Sequence, residues 1–175
     1  MLPSVLHPIN ISVERRLLAL CLIFFTCKLT AVELPDDLQA VLLSKLLPYE
    51  QSIVQQSQDL NIFIINSPGI FQAFSRLKTN SNIKFSKIKQ GDTLPEEHYQ
   101  LIYLNDEKNL AGAMQYAREH NAIIATGQVE LVKKGATIGT GTEKGKPKFY
   151  LNLSSSFAAK LHWDPKVLKI VKTYP

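Results

Sequence analysis

Apolar positions follow two rhythms along this chain, and each rhythm names a kind of element. Three short runs are apolar but for one polar residue at an end: Asn61–Ile65, Gln100–Leu104 and Ala122–Thr126. Runs of that length with no polar face read as strands buried on both sides of a sheet. Between them the spacing changes to threes and fours. Leu110, Ala113, Met114 and Ala117 stand at i, i+3, i+4 and i+7, the pattern of an amphipathic helix. Asn105 or Asp106 would cap it, and Arg118 and His120 close it favourably for the helix dipole. Ile70, Phe71, Phe74 and Leu77 repeat the spacing after Ser67-Pro68, a cap followed by a first-turn proline. An earlier helix is predicted from Leu38 to about Leu47, opened by Pro35-Asp36-Asp37 and stopped by Pro48. Val41, Leu42 and Leu46 would form its inner face.

The remaining segments alternate or turn. Ile83-Lys84-Phe85, with Lys87 and Lys89 beyond, reads as an edge strand on which lysines discourage pairing with another chain. Val129–Lys134 is a turn or short helix. Ala136–Thr142 and Lys148–Leu153 form a hairpin around Glu143-Lys144-Gly145-Lys146. Ser154–Ser156 cap a short helical piece. Asp164-Pro165 starts a last helix with Val167, Leu168, Ile170 and Val171 inward. Alternating strands and helices predict an α/β fold: a single three-layer domain with a mixed, mostly parallel sheet, helices on both faces, and a C-terminal hairpin and helix.

The N-terminus follows a different logic. Arg15 and Arg16 precede Leu17–Thr26, ten uncharged and mainly apolar residues, and a more polar stretch then reaches Ala31. Basic residues, apolar run and small residue, in that order, are the secretory pattern. The run falls short of the roughly 20 apolar residues that a bilayer span needs. Residues 1–31 are therefore expected to be a signal peptide cleaved near Ala31, leaving 32–175 as one exported, soluble domain.

Composition then narrows the chemistry. Both cysteines, Cys21 and Cys27, fall in the leader, so the exported part has no disulfide, thiol nucleophile or thiolate ligand. It carries 17 basic and 14 acidic residues. The lysines are dispersed, so no nucleic-acid footprint forms. No nucleophile elbow, zinc-protease helix or phosphate loop is present, and His98, His120 and His162 lie far apart. The reading is of a protein that is not an enzyme and uses no cofactor or metal. Gly139-Thr140-Gly141 suggests dinucleotide binding at first sight. It feeds a hairpin and not a helix N-terminus, so close approach of another backbone is the better account.

Six residues stand out as ligand- or partner-binding candidates. Ser67, Thr126 and Gly127 come at the ends of predicted strands, where a pocket forms in sheets of this kind. Lys45 and Tyr49 would border it from the first helix, Lys45 as an anchor for an acidic group or simply as a solvent-facing lysine. Asn152 lies on a strand face with Lys148 and Tyr150, where a buried amide needs backbone or ligand partners; backbone bonding is the default.

Gly135–Gly139, Gly145–Leu153 with its strand ending in Asn152, then Ala158, Leu161 and Leu168, resemble the YfiR-like family of bacterial periplasmic regulators. Lys45-Leu46-Leu47 and Thr126-Gly127 sit where that pattern would put them. The resemblance implies an exported α/β protein that binds the periplasmic sensor domain of an inner-membrane diguanylate cyclase or sensor kinase and tunes cyclic-di-GMP signalling and biofilm formation. It also implies an outer-membrane lipoprotein as a sequestering partner, and a homodimer. Disulfide-bearing members differ from this chain, which has no cysteine after residue 31. The alternative function is a periplasmic small-molecule sensor.

Overall fold

The computed structural model describes residues 33–52, 59–77 and 84–175; the expected leader lies outside them. Seven strands form one sheet: β1 (Asp59–Ile65), β2 (Lys84–Gly91), β3 (Leu101–Leu104), β4 (Ile123–Thr126), β5 (Ile138–Glu143), β6 (Lys146–Asn152) and β7 (Val171–Tyr174). Their order is β2-β1-β3-β4-β5-β6-β7. All neighbours are parallel except β5 and β6, which form the hairpin read from the sequence. Lys144 and Gly145 both have positive φ, at 52° and 74°, as a two-residue turn matched to strand twist requires.

The helices are α1 (Asp36–Leu46), α2 (Pro68–Leu77), α3 (Leu110–His120), α4 (Val129–Lys134), α5 (Leu153–Ala158) and α6 (Pro165–Leu168). A single 3-10 turn, Leu47–Tyr49, follows α1, because Pro48 cannot continue the α-helical ladder. The chain leaves β1 toward β2 on one side and reaches β3 on the other. Right-handed crossovers then put α2 on one face of the sheet and α3 and α4 on the other. α1 packs on α2. The expected mixed, mostly parallel α/β architecture is thus what the chain adopts.

The core explains the pattern. Ile62, Ile64, Ile65, Leu101, Ile102, Tyr103, Leu104, Ile123 and Ile124 are buried on both faces of the central strands. Gly139 and Gly141 let α4 lie close on β5: an added methyl group would strike Val132 at the first and Val129 at the second. Close approach, and not phosphate binding, is the work of these glycines.

Two elements depart from expectation. In α1 the inner face is Gln39, Ala40, Leu43 and Leu46, with Val41 and Leu42 only half-buried. Gln39 faces inward because polar partners wait for it there. The last helix is also shorter than the apolar count suggests. α6 ends at Leu168, and Val171-Lys172-Thr173-Tyr174 becomes β7, parallel to β6. Of the four residues expected inward, Val167 and Val171 are buried while Leu168 and Ile170 are about half exposed. The β-branched and aromatic residues of 171–174 favour a pleated surface, and the edge of β6 supplies one.

Candidate functional site

The reversal in strand order opens a crevice beside β1, at the carboxyl ends of the parallel strands. Ile65 and Leu104 are register partners, so Asn66 and Asn105 emerge side by side. Tyr103 pairs with Ala125, which brings Gly127 level with Asn105. Together with the lead into α1 these loops line a cleft of about 540 Å³, walled by Glu33–Asp36, Asn66–Gly69, Asn105 and Gln128. Asn66 holds a left-handed backbone, φ 49°, which asparagine tolerates better than most residues.

Asn105 organises the floor. Its Oδ1 accepts from Thr126 Oγ1 at 3.0 Å and from Gly127 N at 2.8 Å, and its Nδ2 donates to Glu33 Oε1 at 3.4 Å. Thr126 Oγ1 in turn accepts from Gln128 N at 3.1 Å. Below it the buried Tyr103 hydroxyl donates to Gln39 Oε1 at 2.7 Å, and Gln39 Nε2 donates to Leu34 O at 2.6 Å. This chain ties the lead segment, α1, β3 and β4 together. Burial pushes the Tyr103 hydroxyl far above its ordinary range, so it stays a donor. Gly127 is required here, since a side chain would run into the Gln39 amide.

The cleft is acidic. Burial, then the nearby charge of Asp36, raises the pKa of Glu33 above the usual carboxylate value. Asp36 lies against the first turn of α2, where a methyl group on Gly69 would collide with its Oδ2. A carboxylate is favoured at a helix N-terminus. In α/β sheets that position is a common seat for an anionic ligand, and here the chain's own Asp36 occupies it.

The six sequence candidates separate into three places. Ser67 lines the cleft, and Thr126 and Gly127 form its floor network. Lys45 and Tyr49 do not border it. α1 starts at the cleft with Asp36 and runs away from it, so both residues stand exposed at its far end. There the Tyr49 carbonyl accepts from Asp164 N at 2.8 Å, and the buried Glu50 takes His162 N on its Oε1 at 2.7 Å. Asn152 is elsewhere again. Its Oδ1 caps α5 by accepting from Ser155 N at 2.8 Å, and its Nδ2 donates to Val132 O at 2.9 Å. Both polar ends are satisfied by the backbone.

Sequence reasoning missed Glu33, Asp36, Gln39, Asn66, Tyr103, Asn105 and Gln128. A usable signal existed for two of them: Asn66 and Asn105 each directly follow a buried apolar run. Neither Asn105 nor Asp106, the two caps expected for α3, takes that position: Asn109 does, without a side-chain cap bond, and Asp106 Oδ1 holds the preceding turn by accepting from Asn109 N at 2.8 Å. Among the described residues no cluster of three or more His, Cys, Asp or Glu side chains is placed to hold a metal ion.

Comparison with known proteins fits this geometry. The chain resembles a conserved domain protein from Vibrio cholerae O1 biovar eltor (TM-score 0.55, 13% identity, 81% of this chain and 60% of that one). It also resembles an ABC domain in complex with L-Trp from Streptococcus pneumonia (TM-score 0.50, 10% identity, 81% and 60%). At such identities the likeness is one of fold, and the chain spans about 60% of the length of each structure. No curated protein matches it significantly. A family model described as YfiR/HmsC-like, however, matches residues 36–172, from the first turn of α1 into β7. The chain belongs to the YfiR/HmsC-like family, whose members are periplasmic regulators of cyclic-di-GMP signalling.

Proposed function

We propose that this chain is an exported, non-enzymatic regulator that binds the periplasmic sensor domain of an inner-membrane diguanylate cyclase or sensor kinase. The family match over nearly the whole described domain carries this reading. Residues 1–31 act as the signal peptide, and the domain works in the periplasm, with an outer-membrane lipoprotein and a second copy of itself as further partners. Lys45, Tyr49 and the 162–164 segment that Tyr49 and Glu50 bind form one accessible surface for such contacts. Regulation requires that the partner's two signalling states bind with different affinity, typically by about 1–3 kcal/mol.

The test compares cells expressing the full chain with cells expressing a version lacking residues 2–31. Cyclic-di-GMP should change with the first and not the second. Equal levels in both, with the protein recovered from the periplasm in the first, would sink the reading.

The cleft favours a second reading, a small-molecule sensor whose ligand contacts Ser67 and the Asn105–Thr126–Gly127 floor. With Asp36 on the α2 N-terminus and Glu33 beside it, such a ligand is cationic or neutral and polar. In a thermal-shift panel, amines and polyols should raise the melting temperature with concentration, whereas carboxylates and phosphates should not.

A further inference from the structure

At the far edge of the sheet, the crossover from β6 through α5 and α6 to β7 turns apolar side chains outward. Leu153 and Phe157 lie one turn apart on α5; they are 44% and 85% exposed. Leu168 closes α6 at 47%, and Ile170 leads into β7 at 49%. Both α5 and α6 pack on β7, so the four border this edge of the sheet, Leu153 beyond the carboxyl end of β6 and Ile170 just before β7 begins. Lysines stand among them. Lys160, Lys166 and Lys169 are exposed and have no ion pair among the described residues. Lys172 is paired with Glu143 at 2.8 Å. The one acidic side chain in residues 153–174 is Asp164, and its Oδ1 is taken up as the cap of α6, accepting from Lys166 N at 2.8 Å.

We propose that this crossover docks on an anionic lipid surface, with Phe157, Leu153, Leu168 and Ile170 entering the headgroup boundary and Lys160, Lys166 and Lys169 meeting the phosphates. Exposed aliphatic and aromatic tips flanked by lysine are the pattern of an interfacial membrane contact. Lysine stems lie along apolar matter while their ammonium groups stay at the polar level. Protein interfaces, by contrast, are depleted in lysine, and three unneutralised lysines around the apolar tips would need as many carboxylates from a protein partner. An anionic bilayer supplies phosphates everywhere. The docking is independent of the signalling partner proposed above. It would confine the domain to the surface from which an inner-membrane protein projects.

The chain's single tryptophan makes the test local. Trp163 lies in the same crossover, half-buried, with its Nε1 donating to Ser156 Oγ at 3.2 Å. Its fluorescence is followed with vesicles of brominated phosphatidylcholine, with and without phosphatidylglycerol. Quenching reports this face and not the apolar N-terminal run, which is common to every variant. Quenching is expected with phosphatidylglycerol, weakening with salt. Phe157→Asp should lower the partition coefficient at least tenfold. Lys160→Gln, Lys166→Gln and Lys169→Gln should each lower it by about fivefold. All four residues are exposed, and far-UV circular dichroism confirms that the variants fold. Absence of quenching on anionic vesicles, or quenching that Phe157→Asp and the lysine variants leave unchanged, overturns the proposal. Quenching replaced by salt-sensitive binding to a purified sensor domain overturns it too, and assigns the patch to protein.

Discussion

The two edges of the sheet handle their charge in opposite ways. β2 carries Lys84, Lys87 and Lys89, and each finds a carboxylate within the same chain. Lys84 lies 3.3 Å from Asp59, and Lys87 and Lys89 share Glu97. Lys87 also lies over the Tyr99 ring, 5.1 Å from its centroid. Beneath them Phe85 is buried against Phe74, ring centroids 5.7 Å apart and edge to face. At β7 one face is tied down: Tyr174 stacks on Tyr150 and Lys172 reaches Glu143. Around it, though, lysines stay unpaired and apolar side chains face water. One edge is closed on itself. The other keeps both its charge and its greasy surface available, which is how a folded chain retains something to bind with.

The largest test of the closed edge is Phe85→Ala. It empties a fully buried aromatic site and breaks the ring contact with Phe74, so a loss of about 3–5 kcal/mol is expected. Urea denaturation reads it directly. Hydrogen exchange should show β2 opening before β1, because β1 keeps its second neighbour, β3. A loss below about 1 kcal/mol would mean that the lysine pairs, not the core contact, hold this edge.

Asn152→Ala comes next, at the end of β6 where the crossover to the open edge begins. It removes the α5 cap and leaves the buried Val132 carbonyl without the side-chain donor, which together cost about 2–4 kcal/mol. Asn152→Ser keeps a side-chain acceptor for the cap at Ser155 N and is too short to donate to Val132 O, so it should fall between. If both variants are equally stable, the bond to α4 alone matters and the cap is incidental.

These two residues also show what was legible beforehand. β1, β3 and β4 were plain because continuous apolar runs leave no other home than a sheet interior. β2 was plain from its lysines, and Asn152's backbone role followed from its place on a buried strand. β7 was not, because Val167-Leu168-Lys169-Ile170-Val171 satisfies helical spacing on apolar count alone. What decided otherwise was a tertiary fact, the free edge of β6. The cleft was half legible. Ser67, Thr126 and Gly127 announce themselves by following strands, and the structure brings them to one edge. Gln39 could not be seen, since a glutamine on a helix reads as solvent-facing. It turns inward only because the Tyr103 hydroxyl and the Leu34 carbonyl, distant in sequence, satisfy it.

A smaller effect separates charge from packing at the β2 edge. The hydrogen bond from Lys87 and the charges of Lys87 and Lys89 hold the pKa of Glu97 below its ordinary 4.5, and the bond to Glu97 holds Lys87 above 10.5. The stabilisation is therefore complete between those ordinary values. It is lost on the acid side as pH falls through the lowered Glu97 value, and on the alkaline side as pH rises through the raised Lys87 value. Glu97→Gln should lower stability slightly at neutral pH and low salt. The difference from the wild type should vanish in acid and shrink in salt, as exposed pairs do. A difference that persists unchanged in acid would show that Glu97 acts through its hydrogen bond to Tyr99 and not through its charge.

Phe157→Ser should have the smallest effect on folding, and for that reason it sharpens the comparison most. Phe85 and Phe157 are the same side chain at opposite edges of one sheet, the first 1% exposed and the second 85%. Burial free energy scales with area removed from water, and Phe157 removes almost none. Its truncation is expected to leave stability within about 0.5 kcal/mol of the wild type in the same urea experiment. Should it cost more than about 1 kcal/mol, Phe157 must be covered in solution. A dependence of the unfolding midpoint on protein concentration would then identify a second copy as the cover. An unchanged midpoint leaves the side chain exposed to water at no benefit to the fold, so the reason for its exposure lies outside the domain.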